Sequence, residues 1–349
     1  MRQRKLGRRA VYTALGAAAA LFGGGALIGW LVSAPRYRGA KSDHFDGKQF
    51  HNLEPTKHAG FPEMVKWMSN RDEGPWDEWR EIAPTKPPRR VEGLRVTLVN
   101  HATLLIQTQN VNILTDPIWS DRCSPVSFMG PKRHHAPGIR FEDLPPIDVV
   151  ILSHNHYDHI DVPTLQRLAR EHNPRIYAGL GNGAFLRSKE IENVTELDWW
   201  QSAPIADGVR LNAVPAQHFS SRGLAHRDAN LWCGYVFETL DGPIFFAGDT
   251  GWGSHFAAVK ERFGPVRLAL LPIGAFRPEW FMCAVHISPK DAVRAAQALE
   301  ARLSIPMHYG TFHLGDDGQD EPVQVLQREL ASAPGVRFAI VGPGKAHAE

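Results

Sequence analysis

The sequence predicts a mixed α/β fold in which two sheets are covered by helices and a functional site lies at one rim. Two observations support this prediction. From Gly93 onward, many short strand patterns are interspersed with few helical patterns, which is typical of layered sheets. Side chains that bind metals also follow the ends of several predicted strands. The rim where those strands end is therefore the predicted site.

Short apolar runs bounded by turn residues define the elements. The predicted strands are 94–99, 103–107, 111–114, 147–152, 209–214, 232–238, 244–247, 268–271, 305–307 and 336–340. The predicted helices are 162–170, 256–263, 289–301 and 322–331. Pro163 is tolerated because it falls in the first turn of its helix, where a missing N–H removes no intrahelical bond.

Composition divides the chain into three segments, namely residues 1–34, 35–90 and 91–349. The middle segment is an arm rich in Pro and Trp. Short helices are predicted at 61–67 and around Trp76 and Trp79. Two interpretations of this arm stay open. Either it packs on the main domain, or its aromatic side chains form a surface near a membrane.

Residues 11–33 contain no charged side chain, and five Lys or Arg residues precede them. A bilayer needs about 20 apolar residues, so this stretch predicts a transmembrane anchor. The positive-inside rule then places the main domain outside the cytoplasm, in the periplasm of a bacterium. The alternatives are a cleaved export signal near Val32-Ser33-Ala34, which gives an exported soluble form, and a buried soluble helix.

The positive charge of the chain is confined to its beginning. Eight Lys or Arg residues and no acid precede Asp43, so the remaining 31 basic against 37 acidic groups leave a net charge of −6. This distribution argues against a nucleic-acid partner for the main domain. The three widely spaced cysteines, Cys123, Cys233 and Cys283, form no disulfide framework and no thiolate zinc motif.

The segment Leu-Ser-His-Asn-His-Tyr-Asp-His at 152–159 places four metal-binding side chains directly after a predicted strand. His154 and His156 are two residues apart, so an extended loop directs both toward one ion. Asp158 and His159 lie further round the turn, which favours a second ion. Since each ion needs three or four ligands, further ligands must come from elsewhere in the chain.

Three other side chains occur in matching positions after predicted strands, and these are His218, Asp249 and His308. A carboxylate such as Asp249 can bridge two ions. Seven ligands for two ions leave coordination positions open for water, which predicts a catalytic rather than a structural site. Imidazole and carboxylate ligands suit zinc, with iron and manganese as alternatives. His101 and Asp116 are candidates to orient the ligands or, alternatively, to cap turns.

The motif SHNHYDH, followed by His218, Asp249 and His308, resembles the metal site of metallo-β-lactamase-fold hydrolases. The segments at 99–133, 193–200, 245–251, 262–276 and 307–312 further resemble the branch of phospholipases D that hydrolyse N-acyl-phosphatidylethanolamine. The resemblance implies an αββα sandwich over 91–349 and two zinc ions. It assigns His154, His156 and His218 to one ion and Asp158, His159 and His308 to the other, with Asp249 as the bridge.

The resemblance also implies a role for His286, in AVHISP, near the reacting phosphate, and it makes a homodimer one candidate assembly. The expected reaction is attack of a metal-activated water on a phosphodiester, with His286 as a candidate proton donor and Asp158 among the catalytic groups. The apolar stretch before His286, at 274–285, either lines an acyl groove or packs in the core. Two other functions stay open: a lactonase or other small-ester hydrolase of the same fold, and a non-catalytic membrane-anchored module that binds metal or a partner.

Overall fold

A computed structural model describes residues 33–56, 59–223 and 225–349. The predicted anchor at 11–33 lies outside these residues except for Ser33. Within the described ranges, no helix combines the length and the apolar character that crossing a membrane requires.

Thirteen strands in the described part of the chain form two sheets. The strands are β1 (Leu94–Asn100), β2 (Thr103–Thr108), β3 (Val111–Thr115), β4 (Val149–Leu152), β5 (Arg175–Gly179), β6 (Val194–Leu197), β7 (Ser202–Ala206), β8 (Val209–Val214), β9 (Gly234–Glu238), β10 (Ile244–Phe246), β11 (Leu268–Pro272), β12 (Leu303–Met307) and β13 (Ala346–Ala348). The first sheet has the order β13-β1-β2-β3-β4-β5-β6 and the second β12-β11-β10-β9-β8-β7.

The α-helices of the described residues span Phe61–Ser69, Val162–Glu171, Asn182–Arg187, His255–Phe263, Glu279–Met282, Pro289–Ala298 and Glu321–Ala331, and Phe141–Asp143 is a 3₁₀ turn. The two longest predicted helices begin within one residue of their predicted starts. Pro163 and Pro289 occupy first-turn positions, as their missing N–H groups allow.

The strand β4 shows how alternation builds the layers, because successive side chains of a strand point to opposite faces. Val149 and Ile151 belong to the core that joins the two sheets. Val150 and Leu152 belong to a second core, together with Leu165 of the helix Val162–Glu171. One face of the first sheet therefore meets the second sheet and the other is covered by a helix. This mixed sandwich agrees with the predicted fold.

Two predicted elements are wrong. Residues 336–340 form a single bridge, between Phe338 and Ser304, instead of a strand. Pro334-Gly335 before this stretch and Gly342-Pro343-Gly344 after it limit regular pairing, and β13 occupies the edge of the first sheet instead. The region around Trp76 and Trp79 is not helical and has no regular secondary structure. Its polar groups bond across to the domain, since the Trp76 Nε1–H donates to the Asp317 carbonyl at 2.9 Å.

The arm at 35–90 packs on the domain at several points. The His44 Nε2–H donates to Asp198 at 2.8 Å, and the Trp67 Nε1–H donates to Asp316 at 3.1 Å. Trp67 also stacks on Phe281, with ring centroids 4.8 Å apart. The aromatic stretch before His286 therefore contacts the arm through Phe281. The three cysteines carry no disulfide.

Candidate metal centre

The predicted ligands converge at one rim of the sandwich because each follows the carboxyl end of a strand. The segment 153–159 follows β4, His218 follows β8 by four residues, Asp249 follows β10 by three, and His308 directly follows β12. Gly248 precedes Asp249 with φ +61°. A glycine adopts this left-handed conformation without strain, and a Cβ there would lie 2.7 Å from that of Ser153.

The side chains form four overlapping groups in which the potential ligand atoms lie within 4.8 Å of one another. The groups are His154 with His156 and His218; His101 with Asp158, His159 and His308; His154 with His159 and Asp249; and Asp249 with His286 and His308. Asp249 occurs in two groups, as a bridging carboxylate requires. His159 also shares a group with His154 and Asp249. The predicted assignment of His154 and His159 to different ions is therefore reproduced only in part.

Asp116 orients one imidazole from each predicted ligand set. Its Oδ2 accepts from the His159 Nδ1–H at 2.7 Å and from the Ser153 hydroxyl at 2.6 Å. Ser153 Oγ in turn accepts from the His154 Nδ1–H at 2.9 Å. These bonds hold a proton on Nδ1 of each ring, so that Nε2 is the atom of either imidazole that binds a cation, with release of any proton it carries.

Other bonds orient the remaining ligands. The His218 Nδ1–H donates to the Val285 carbonyl at 2.9 Å, which directs its Nε2 toward His156. The His101 Nε2–H donates to Asp158 Oδ2 at 3.0 Å. His101 thus contacts a predicted ligand, as expected for an orienting group. No sequence pattern identifies Ser153 or the Val285 carbonyl as orienting groups, although Ser153 directly precedes His154.

The residues present fit one or more metal ions. Among the described residues, buried ring nitrogens of His159 and His308 and the Oδ1 of Asp249 have no hydrogen-bond partner. The Nε2 of His308 lies 3.0 Å, and that of His159 3.2 Å, from Asp249 Oδ2 without hydrogen-bond geometry. Unsatisfied buried polar atoms are costly, and a cation between such atoms would satisfy them.

Neighbouring histidines keep the carboxylates of Asp158 and Asp249 ionised although both lie in the buried cluster. Burial alone would raise the pKa of Asp158, but the neighbouring His159 and the bond from His101 hold that pKa well below its usual range. For Asp249, burial is likewise outweighed by His308 and His159, and its pKa is also well below the usual range. Both carboxylates are therefore ionised at neutral pH, which is the form that binds metal.

His286 lies beside the cluster and is more accessible than His218 and His308. Its Nδ1 lies 3.8 Å from Asp249 Oδ2, and its side chain is 14% exposed, against 0–2% for His218, His308 and Asp249. Burial lowers the pKa of His286 to about 4. Its place at the open side of the centre suits contact with a substrate, while its group with Asp249 and His308 also makes it a potential ligand.

Comparisons with known proteins agree with this site and fold. Residues 111–309 match the family described as a β-lactamase superfamily domain. An uncharacterised protein of Mycobacterium tuberculosis (strain ATCC 25618 / H37Rv) is 33% identical, with 94% of this chain and 92% of that protein covered.

The N-acyl-phosphatidylethanolamine-hydrolyzing phospholipase D 1 of Caenorhabditis elegans is 38% identical over 234 residues. That match covers 64% of this chain and 65% of that protein. In structure, a possible metal-dependent hydrolase from Veillonella parvula superposes with a TM-score of 0.59 at 18% identity, over 74% of this chain and 100% of that one. The family match, which extends over more than half of the chain and contains every predicted metal ligand, assigns the chain to the β-lactamase superfamily, as a metal-dependent hydrolase with the metallo-β-lactamase fold.

Proposed function

We propose that the protein is a phosphodiesterase of the phospholipase D type that acts on N-acyl-phosphatidylethanolamine-like lipids with two zinc ions. The observation that carries the proposal is the position of Asp249, which lies within 4.8 Å of ligand atoms from both predicted sets. The relative in Caenorhabditis elegans, named for this activity, supports the substrate class.

His154, His156 and His218 would hold one ion, and Asp158, His159 and His308 the other, with Asp249 between them. When bound, two zinc ions supply an activated water at neutral pH and neutralise charge on a phosphoryl group. Asp116 and Ser153 keep the ring of His159 and that of His154 in the tautomer that the ions need.

His286 is the chain's candidate for contact with the reacting group. It lies at the open side of Asp249, so its imidazole can reach an oxygen of a bound phosphodiester. There its ring N–H would donate a hydrogen bond to a phosphoryl oxygen. To give a proton to the departing alkoxide the ring must first be protonated, which the negative charge of a bound phosphodiester would favour by raising the pKa of His286. Products of the proposed lipid reaction are phosphatidic acid and an N-acylethanolamine.

An exposed apolar surface that includes Trp280, six residues before His286, supports a lipid substrate. The helix Phe61–Ser69 buries no residue, and Phe61, Met64, Val65 and Met68 on it are 73%, 37%, 44% and 64% exposed. These positions recur at the helical spacing of one face. Trp280, six residues before His286, is 51% exposed and lies under Lys66 of this helix at 4.8 Å. We call this set the arm surface and propose that it rests on a bilayer.

The test is a hydrolysis panel with the purified full-length chain in detergent micelles, with metal content measured on the same sample. The panel contains N-acyl-phosphatidylethanolamine, a simple phosphodiester, a lactone and a β-lactam. Release of phosphatidic acid that chelation abolishes and zinc restores is the expected result. Opening of the lactone with the phospholipid left intact would refute the lipid specificity and favour a small-ester hydrolase.

Asp249→Asn should abolish turnover while the protein stays folded. Asp207→Asn serves as the matched control, because Asp207 is an exposed acid. Full activity in Asp249→Asn would contradict a two-ion centre built on this carboxylate. Stoichiometric zinc without turnover on any member of the panel would favour the non-catalytic alternative.

A further inference from the structure

The main chain of His218 obtains its hydrogen bonds from outside the two sheets. His218 is completely buried and follows β8 by four residues, beyond the last residue of that strand that pairs with β9. In the described part of the chain, no main-chain group bonds to its N–H or to its C=O. Buried main-chain groups almost always have a partner, so a side chain must provide one for each of these two groups.

Asn52 of the arm at 35–90 provides both partners. Its Oδ1 accepts from the His218 N–H at 3.0 Å, and its Nδ2–H donates to the His218 carbonyl at 3.0 Å. One side-chain amide thus pairs with a metal ligand as the opposite residue of a neighbouring strand would. The same Oδ1 accepts from the Nε1–H of the buried Trp232 at 2.9 Å. With two N–H donors on Oδ1, the orientation of the amide is fixed by its bonds.

The chain just before Asn52 is anchored in the domain. Phe45 and Phe50 face each other across an antiparallel bridge, with ring centroids 4.5 Å apart, and both side chains belong to the main core. The Phe50 N–H also donates to the Asp228 carbonyl at 2.7 Å. Asn52 therefore lies two residues after a buried anchor, which limits how far its amide can move from His218.

Other bonds hold the same loop from the side of Asp249. The N–H of Gln217 donates to Thr250 Oγ1 at 2.9 Å, and the Gln217 carbonyl accepts from the Gly251 N–H at 2.7 Å. The residues on either side of Asp249's own backbone bonds thus fix Gln217, whereas the main chain of His218 itself depends on Asn52. Loss of the Asn52 amide would leave the ligand's own N–H and C=O without partners.

We propose that Asn52 is a positioning residue of the metal centre and that the arm is thereby part of that centre. By holding the main chain of His218, the amide sets where the imidazole stands relative to the other two ligands of its predicted ion. His218 Nε2 lies 3.4 Å from His156 Nδ1, which lies 2.8 Å from His154 Nε2. A cation bound by these three nitrogens needs that spacing to be kept, and partners that orient a ligand usually contribute 10–100-fold to metal affinity.

The inference concerns the ion held by His154, His156 and His218, called the first ion below, and it does not depend on which ester the protein hydrolyses. It rests on the proposed two-ion centre only where the two ions are distinguished. Metal binding is therefore measured instead of turnover. The full-length chain in detergent micelles is stripped of metal and titrated with Co²⁺, which such ligands also bind and whose visible absorption reports each ion. His218→Ala and His308→Ala identify the binding step of each ion.

Asn52→Leu has a similar volume but no hydrogen-bonding group. It should weaken the binding step that His218→Ala removes by about tenfold or more, and it should change the step that His308→Ala removes less than about threefold. General destabilisation of the protein would instead weaken both steps alike. Asn193→Leu is the matched control, because the Asn193 Nδ2–H donates to the Pro174 carbonyl at 3.1 Å but Asn193 precedes β6, at the rim opposite the ligands. It should change neither step.

A thermal melt verifies that each variant is folded, and Asn52→Ala, which removes the same amide without adding apolar volume, replaces Asn52→Leu if that variant does not fold. Wild-type affinity for the first ion in the folded variant would overturn the proposal, and so would equal weakening of both steps. A wild-type chain that binds a single ion would refute the two-ion centre alone. The variant is then compared on that one step, and unchanged affinity there would overturn the role of Asn52.

Discussion

Asp116 Oδ2 accepts the Nδ1–H of His159 at 2.7 Å, and both side chains are completely buried. Through Ser153 the same carboxylate also orients His154. One acid therefore controls one ligand from each predicted set. Such partners of a ligating histidine fix its tautomer and its direction.

Asp116→Asn should lower zinc affinity about 10–100-fold, the effect that loss of such a partner usually has. The amide can still accept from the Ser153 N–H, yet its NH₂ group cannot accept from His159. Competition with a chromogenic chelator measures the affinity, and Asp207→Asn is again the control. Unchanged zinc affinity in Asp116→Asn would show that this carboxylate does not position the ligands.

Substitution of His286 and substitution of His308 should have different effects on zinc binding. His308→Ala should lose zinc, because His308 has its Nε2 3.0 Å from Asp249. His286→Gln should keep both ions and lose about 10²–10⁴ in turnover, the usual contribution of a positioned acid or base. Metal analysis and kinetics on the same samples distinguish the two. Loss of zinc from His286→Gln would make His286 a ligand instead.

Removal of metal should destabilise the protein as well as inactivate it. The centre gathers five histidines and two aspartates, most of them buried. A ligand that binds only the folded state stabilises that state by mass action. With zinc at about 100 times its dissociation constant, the gain is about 2.7 kcal/mol. Differential scanning calorimetry before and after chelation measures it. An unchanged melting temperature after verified zinc removal would contradict a centre linked to folding.

His135 should make the folded state sensitive to mild acid. Its Nδ1–H donates to the Ala136 carbonyl at 2.7 Å and its Nε2 accepts from Thr311 at 3.0 Å. Burial lowers the pKa of His135 to about 4, below the ordinary value of about 6.5. The unfolded chain therefore binds the proton first as pH falls, and stability decreases between pH 7 and pH 4.

For this one group the loss between pH 7 and pH 5 is about 2 kcal/mol. His135→Gln retains both hydrogen bonds but has no titrating group, so its unfolding free energy should fall less over the same interval. Urea denaturation of the zinc-loaded protein at the two pH values gives the comparison. Identical pH dependence in the variant and the wild type would exclude His135 as the source.

The arm surface should matter only for substrates in a bilayer. Phe61→Ser combined with Met68→Ser should lower turnover of vesicle-embedded lipid at least about fivefold, since burying each such side chain contributes about 1.5–3 kcal/mol. Turnover of a short-chain phosphodiester in solution should stay constant. Leu240→Ser is the control, as Leu240 is 81% exposed in the turn after β9. An equal loss on both substrates would indicate damage to the fold.

The local sequence pattern was sufficient to predict an element wherever neighbouring residues alone determine it. The apolar run that became β4, the metal-binding segment after it and the helix Val162–Glu171 were all predictable, because alternation, ligand spacing and helix-start residues are properties of neighbouring residues. Local pattern failed at 336–340, where an apolar stretch resembled a strand. It also missed β5, β6 and β7, the last two of which lie at sheet edges and carry only partial apolar alternation.

The residue types of the site were determined by the sequence itself, since few other functions explain three histidines and an aspartate within six positions. Only the tertiary structure decided how they meet. His218, Asp249 and His308 are far apart in the chain, and they approach one another because strands of a common sheet end at one rim. The hydrogen bonds that link Asp116, Ser153 and His154 were likewise decided by folding, because burial and hydrogen-bond geometry depend on contacts between segments that no local pattern contains.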